Sequence, residues 1–304
     1  MTIDRRGVIA GAAAVAAAAC VPRGQTDNAQ FAERLRAVER DLGGRLGVSF
    51  VAPDRKTLDH RGDELFPLAS TFKASLAALA LKLEHEGRLD LSQTVMWTKD
   101  DLIFHTPFTG TRAGIGATLR ELAHAAQTTS DNLAANLVLE RVGGPPALTA
   151  FWRELGDDSS RLDRLETQLN LVPPGEIRDT TRPAAMARTL SRILGPASPL
   201  GTERAAELGG WMVDSVTGLA KVRAGLPGGW RAGDKTGNSS DWDGRMGYLR
   251  GDIGFVERSA GSTVFFAAYH QSPLGGTIAD DRVDAAFAEI GSTLASWIRT
   301  LPAI

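Results

Sequence analysis

Apolar residues recur at helical spacing near one end of this chain, at strand spacing soon after, and at strand spacing again only toward the other end. Phe31, Leu35 and Val38 share one face of the segment from Phe31 to Leu42, which predicts an amphipathic helix ended by Gly43-Gly44. Leu46 to Val51 is a short apolar run with β-branched residues, and Thr57 to Arg61 resumes after Pro53-Asp54, so two antiparallel strands are predicted. From Ser70 to about Glu86 the pattern turns helical, and helical segments dominate through Gly209. Strand signals return at Trp230 to Gly237, Gly251 to Glu257 and Ser262 to Gln271, before a final helix from Ala279 to Thr300.

Strands at both ends with helices between them imply an α+β fold, in which an antiparallel sheet flanked by terminal helices carries an inserted all-helical subdomain. The expected boundaries are 30–65 and 211–304 for the α/β part and 66–210 for the helical part. The seam between the two parts is the natural place for a cleft.

The first residues follow a different pattern. Asp4-Arg5-Arg6-Gly7 precedes a weakly apolar, Ala-rich stretch from Val8 to Ala19 and then Cys20, so residues 1–20 read as an export signal, too short to span a bilayer. The paired arginines resemble a twin-arginine signal, with a general secretory signal as the alternative. Cys20 resembles a lipoprotein processing site, although Ala17 stands where such sites usually carry Leu; simple cleavage after an Ala-x-Ala is the competing reading. Either route places the mature protein outside the cytoplasm, periplasmic or held by a lipid anchor. Residues 21–29, with a polar stretch near Gly24 to Asn28, read as a linker.

Composition removes several function classes. The 304 residues are 43% hydrophobic and 23% charged with a formal net charge of -2, so no basic surface invites a nucleic acid and no charge run suggests an interaction tail. Cys20 is the only cysteine, which excludes an intrachain disulfide. The five His residues show no ligand spacing, so no metal or other cofactor is expected, and a monomer acting on a small molecule fits best.

Three short strings carry the chemistry: Ser70-Thr71-Phe72-Lys73, Ser130-Asp131-Asn132 and Lys235-Thr236-Gly237. Read singly, each has an ordinary structural explanation. Ser-x-x-Lys arises about once by chance in a chain of this length, Ser70 and Asp131 are good helix caps, and Lys-Thr-Gly suits a strand end. Read together and in order, they suggest catalysis. Ser70 and Lys73, three residues apart, are neighbours on a helix surface, where an amine that spends time neutral can take the proton of a serine hydroxyl. In the first turn of that helix, free N–H groups and the helix dipole would favour an oxyanion at Ser70. Ser130 can relay a proton to a leaving nitrogen, and Asn132 offers an amide to a substrate. Lys235 and Thr236 supply a cation and a hydroxyl for a substrate carboxylate, and Gly237 lets the substrate approach the backbone.

With these motifs, and with Glu166-Thr167-Gln168-Leu169-Asn170, the chain resembles the class A serine β-lactamases within the larger family of penicillin-binding enzymes. The resemblance runs from about residue 30 to residue 299 and includes Phe66-Pro67, Leu102, Pro107, Ala134-Ala135-Asn136-Leu137 and Arg223-Ala224-Gly225-Leu226-Pro227. It implies that Ser70 attacks a β-lactam carbonyl to form an acyl-enzyme, with the N–H groups of Ser70 and Asn238 as oxyanion hole. It also implies that Lys73 assists proton removal, that Ser130 protonates the lactam nitrogen, and that Lys235 and Thr236 anchor the substrate carboxylate. Glu166, with a water held by Asn170, would then hydrolyse the acyl bond, while the base for acylation is either Lys73 or Glu166. The stretch 164–179, which contains Pro173, Pro174 and Gly175, would be an Ω-type loop closed by an Arg164–Asp179 pair. An acylatable sensor or peptidase of the same fold would lack the water-activating glutamate, and a non-catalytic exported protein has no support beyond the loop described next.

Four departures bear on what the resemblance carries over. The segment Asn238 to Gly247 is longer than the family's usual hairpin turn and holds Asp241, Trp242, Asp243 and Arg245. The arginine that many members use as a second carboxylate contact is therefore matched to Arg250, with Arg245 as competitor. His105 stands where an aromatic gatekeeper is usual, and Thr167 where many members have proline. Ala69 replaces the cysteine that often forms a disulfide in carbapenem-hydrolysing members, which argues against strong carbapenemase activity.

Overall fold

The computed structural model describes residues 23–240, 244–259, 262–276 and 279–302. The export signal, Cys20 and Asp241, Trp242 and Asp243 lie outside the described residues. Among those described, no helix is long and apolar enough to cross a membrane.

Five strands form one antiparallel sheet: β1 (Arg45–Val51), β2 (Thr57–His60), β3 (Arg231–Ser239), β4 (Leu249–Glu257) and β5 (Thr263–Gln271). Their order across the sheet is β2-β1-β5-β4-β3, so chain from the two ends meets where β1 pairs with β5. Helices α1 (Arg23–Leu42) and α8 (Asp280–Thr300) cover one face. The helical part is built from α2 (Phe72–His85), α3 (Leu119–Thr128), α4 (Asn132–Val142), α5 (Gly144–Glu154), α6 (Pro183–Leu194) and α7 (Gly201–Val213), and it covers the other face.

Strand alternation explains why one sheet serves two cores. Along β5, Phe265, Ala267 and Tyr269 join the core shared with the helical part, while Val264, Phe266 and Ala268 pack under α1 and α8. Helix α2 lies at the centre of the first core, with every residue from Phe72 to Leu83 buried, as expected for a helix enclosed on all sides.

Two sequence expectations need correction. The stretch 21–29 is not a linker throughout, because α1 begins at Arg23 and takes in most of it. The strand after Trp230 does not end at Gly237: Asn238 and Ser239 pair with Arg250 and Leu249, so β3 runs two residues further and the connection to β4 is shorter than 238–247.

Candidate active site

Ser70 lies in a 3-10 turn, Ala69–Thr71, that leads into α2 and brings Lys73 onto the same side one turn later. Ala69 has φ of 41°, a strained value for a residue with a side chain, so the surrounding structure must hold this turn in place. Part of that support comes from β3. A Cβ on Gly237 would fall 2.9 Å from Thr71 Cγ2 and 3.1 Å from Leu68 O, so only glycine lets the strand pass this close to the serine.

The side chains around Ser70 form one connected network. Lys73 Nζ donates to Ser70 Oγ at 2.9 Å, to Asn132 Oδ1 at 2.5 Å and to Ser130 O at 2.9 Å, and it lies 3.0 Å from Glu166 Oε1. An ammonium has three protons, so these four oxygens compete for it and the amine can change partners without moving far. Ser70 Oγ in turn donates to Glu166 Oε1 at 3.1 Å. Ser130 Oγ sits between two amines, 3.0 Å from Lys235 Nζ and 3.5 Å from Lys73 Nζ. Lys235 also donates to Thr236 O at 2.7 Å.

Burial sets the electrostatics of these amines. Lys73 is fully buried, and loss of hydration pulls its pKa down, opposed by the Glu166 carboxylate. Burial, reinforced by the nearby Lys73 cation, lowers Lys235 to about 7. Two cations this close in a dry site resist being charged together, which favours an amine able to take up a proton.

Glu166 is placed by its backbone as well as its carboxylate. Its N–H donates to Asn136 Oδ1 at 3.0 Å and its carbonyl accepts from Asn136 Nδ2 at 2.8 Å, while Asn170 Nδ2 holds Oε2 at 2.8 Å. The segment 164–179 is closed at its ends by Arg164 Nε and Asp179 Oδ2 at 2.5 Å. Asp179 Oδ1 also accepts the N–H groups of Asp163 and Arg164 at 2.7 and 3.0 Å. The carbonyl of Asp179 accepts from Leu68 N at 2.8 Å, which ties this loop to the turn before Ser70.

Asp131 anchors the far wall of the cleft. It caps α4 through Ala134 N at 2.8 Å and also accepts Phe108 N at 3.0 Å and Thr109 N at 2.8 Å. Asn132 donates from its N–H to His105 O and from Nδ2 to Phe104 O, so the rim segment hangs from the start of α4.

The profile of the beta-lactamase enzyme family matches residues 30–298. Beta-lactamase FAR-1 of Nocardia farcinica is 47% identical over 208 residues, 67% of this chain, and this chain spans 65% of that relative's length. Beta-lactamase AST-1 of Nocardia asteroides is 43% identical over 251 residues, 77% of this chain and 80% of the relative. An ancestral class A β-lactamase of solved structure superposes with a TM-score of 0.82 at 40% identity, covering 88% of this chain and 100% of that one.

The chain belongs to the class A β-lactamases. Within this β-lactamase, the residues singled out from sequence fall into two groups. Ser70, Lys73, Ser130, Asn132, Glu166, Asn170 and Lys235 belong to the network just described. Thr236 and Gly237 adjoin it, with Thr236 Oγ1 donating to Thr217 Oγ1 at 2.7 Å, and Asn238 follows, exposed at the end of β3. His105 lies at the rim, where Nε2 donates to Thr129 O at 3.0 Å.

Arg250 is placed differently. Its Nη2 bonds Asp280 at 2.8 Å and its Nη1 bonds Ser239 O at 3.2 Å, so its guanidinium is turned toward the start of α8 and not toward Ser130. Arg245 is exposed on the connection between β3 and β4. Sequence reading gave no part to Asn136 or Thr217, and gave Asp131 only that of a helix cap. Asp131 and Asn136 lie inside strings it had noted, but Phe108, Thr109 and Glu166, which they bind, are 20 or more residues away in the chain. Among the described residues, no cluster of His, Cys, Asp or Glu could hold a metal ion.

Proposed function

We propose that this protein hydrolyses the amide bond of β-lactams through an acyl-enzyme on Ser70, and that Glu166 and Asn170 direct the water that releases the product. The observation that carries this reading is Ser70 Oγ between Lys73 Nζ at 2.9 Å and Glu166 Oε1 at 3.1 Å. A serine is made nucleophilic by an adjacent proton acceptor, and here two lie within hydrogen-bond reach.

In the proposed sequence, the Ser70 proton passes to Lys73 or Glu166 as Oγ bonds to the lactam carbonyl carbon. The N–H groups of Ser70 and Asn238 stabilise the oxyanion. As the C–N bond breaks, Ser130 gives its proton to the departing nitrogen and is reprotonated by a neighbouring ammonium, Lys73 or Lys235. Lys235 and Thr236 hold the substrate carboxylate, with Arg250 as the candidate for a second contact once its bond to Asp280 loosens, and Asn132 binds the acyl amide. His105 forms part of the cleft mouth. Glu166 then takes a proton from a water that attacks the ester, and Ser70 leaves with that proton. Arg164 and Asp179 keep Glu166 at the correct height above Ser70.

Export through residues 1–20, with either cleavage or lipidation at Cys20, puts this activity outside the cytoplasm, where hydrolysis protects the producing cell from β-lactams. The test is to mix the purified protein with a chromogenic cephalosporin and follow colour together with intact mass. Many turnovers per molecule support the reading. One equivalent of colour with a persistent mass increase makes the protein a sensor or transpeptidase-like enzyme instead.

A further inference from the structure

Strand β3 has a second face, turned away from Ser130, and it carries a buried carboxyl that the reaction does not use. Asp234, immediately before Lys235, and Asp252 on β4 are both fully buried. Pairing sets Thr236 opposite Asp252 and Gly254 opposite Asp234, so the two carboxyls are diagonal neighbours on one face, with no side chain opposite Asp234. Gly218 closes over them, since a Cβ there would fall 2.1 Å from Asp234 Oδ2.

Donors are scarce in this space. Asp252 Oδ2 accepts from Val222 N at 3.1 Å and the Ser215 hydroxyl approaches Asp234, but Asp252 Oδ1 has no hydrogen-bond donor among the described residues and neither Asp234 oxygen is met at full hydrogen-bond geometry. The surrounding cations make their hydrogen bonds elsewhere. Arg223 Nε stays 3.7 Å from Asp234 Oδ2 while its terminal nitrogens bond Ser215 O and Val213 O. Lys221 pairs with Asp284 of α8, Arg250 pairs with Asp280 of α8, and His270 of β5 is bonded to Gly43 O. Lys235 itself projects from the opposite face toward Ser130, beside Lys73 and Glu166.

Two full negative charges with so few donors are the costly arrangement in a dry interior, whereas one proton between the two carboxyls removes a charge and creates a donor. Burial pushes both groups above the ordinary carboxylate range, and the Asp234 charge raises Asp252 further.

We propose that Asp234 and Asp252 share a single proton at neutral pH, so that the pair presents one negative charge behind Lys235 and favours the protonated form of that amine toward the cleft. The consequence for turnover rests on the reading of Lys235 as the anchor of the substrate carboxylate; the shared proton itself does not. Both aspartates are positioning residues, acting through Lys235.

Infrared spectroscopy and pH-rate profiles of wild type, Asp252→Asn and Asp234→Asn test the proposal, with thermal melts showing that each variant is folded. Wild type is expected to show the carbonyl stretch of a protonated, buried carboxyl at neutral pH, and Asp252→Asn to lose it. Asp252→Asn should leave the alkaline limb of kcat/KM in place, because an amide next to one carboxylate carries the same charge as the proton-sharing pair. Asp234→Asn leaves one carboxylate on Asp252 and should hold the limb as well, whereas Asp234→Asn combined with Asp252→Asn removes the charge and should move the limb to lower pH by about one unit. Absence of the protonated-carboxyl band in wild type overturns the proposal even if no variant folds. A downward shift in Asp252→Asn overturns it as well, by showing that two charges were present. An unmoved limb when both substitutions are combined breaks the link to Lys235. A protein with no β-lactam turnover but with the band intact would refute the proposed function and leave the shared proton standing.

Discussion

The two walls of the cleft are built by different means. On the helical side, Ser70, Lys73, Asn132 and Glu166 hold one another by side-chain hydrogen bonds, and Glu166 is fastened in addition through Asn136. On the strand side, Lys235 to Asn238 are placed by the β3–β4 pairing, and Lys235 reaches across the cleft to Ser130. The difference suggests a division of labour, in which the side chains proposed to exchange protons are interlocked, while the wall proposed to receive substrate offers backbone groups and the Lys235 amine on a rigid strand.

Substitutions can break this comparison one wall at a time. The largest effect is expected from Ser70→Ala, which removes the proposed nucleophile and should lower kcat on the order of 10⁶-fold, measured by steady-state hydrolysis. Asp179→Ala leaves Arg164 without its buried partner and frees the end of the loop that carries Glu166. It should cost about 3–5 kcal/mol in denaturant unfolding and slow acyl-ester hydrolysis more than acylation. Lys235→Ala tests the strand wall. Loss of a charge-assisted contact worth about 1.5–3 kcal/mol should lower kcat/KM roughly 10- to 100-fold, mainly through KM.

The smallest expected effects are in pH dependence. Because burial and Lys73 bring Lys235 down to about 7, the protonated form of this proposed anchor is lost as pH rises through that value, and kcat/KM should fall on the alkaline side before kcat does. Asp252 shifts the other way. Its raised pKa means that the folded state binds more protons than the unfolded state above the ordinary carboxylate value, so this contribution to stability is present at low pH and is lost as pH rises. Melting curves of wild type and Asp252→Asn at several pH values should show wild type losing ground as pH rises, a sharper sign of how differently the two faces of β3 are built.

The sheet was legible in outline, since short apolar runs with β-branched residues mark β1, β4 and β5, whereas β3, the strand wall, has Thr236 as its one β-branched residue and was legible chiefly through its motif. Its ends were less legible. Asn238 and Ser239 read as loop, yet they pair with Arg250 and Leu249, since register depends on a partner ten or more residues away. On the helical side the motifs marked Ser70, Lys73, Ser130 and Glu166, but α2 is buried all round, so periodicity could not show which face Lys73 occupies or that it has no contact with water. Asp131 could be read as a helix cap and is one, but its second task of holding Phe108 and Thr109 appears only in three dimensions. The turn of Arg250 toward Asp280 likewise depends on where α8 begins beside β4.

The most direct test of the account is intact-protein mass spectrometry of Glu166→Ala after brief mixing with a penicillin. The account predicts a full equivalent of covalent adduct on Ser70 that persists while wild type shows none, because acylation can proceed through Lys73 but release of the acyl group needs Glu166. Steady turnover by Glu166→Ala without a lasting adduct would contradict it.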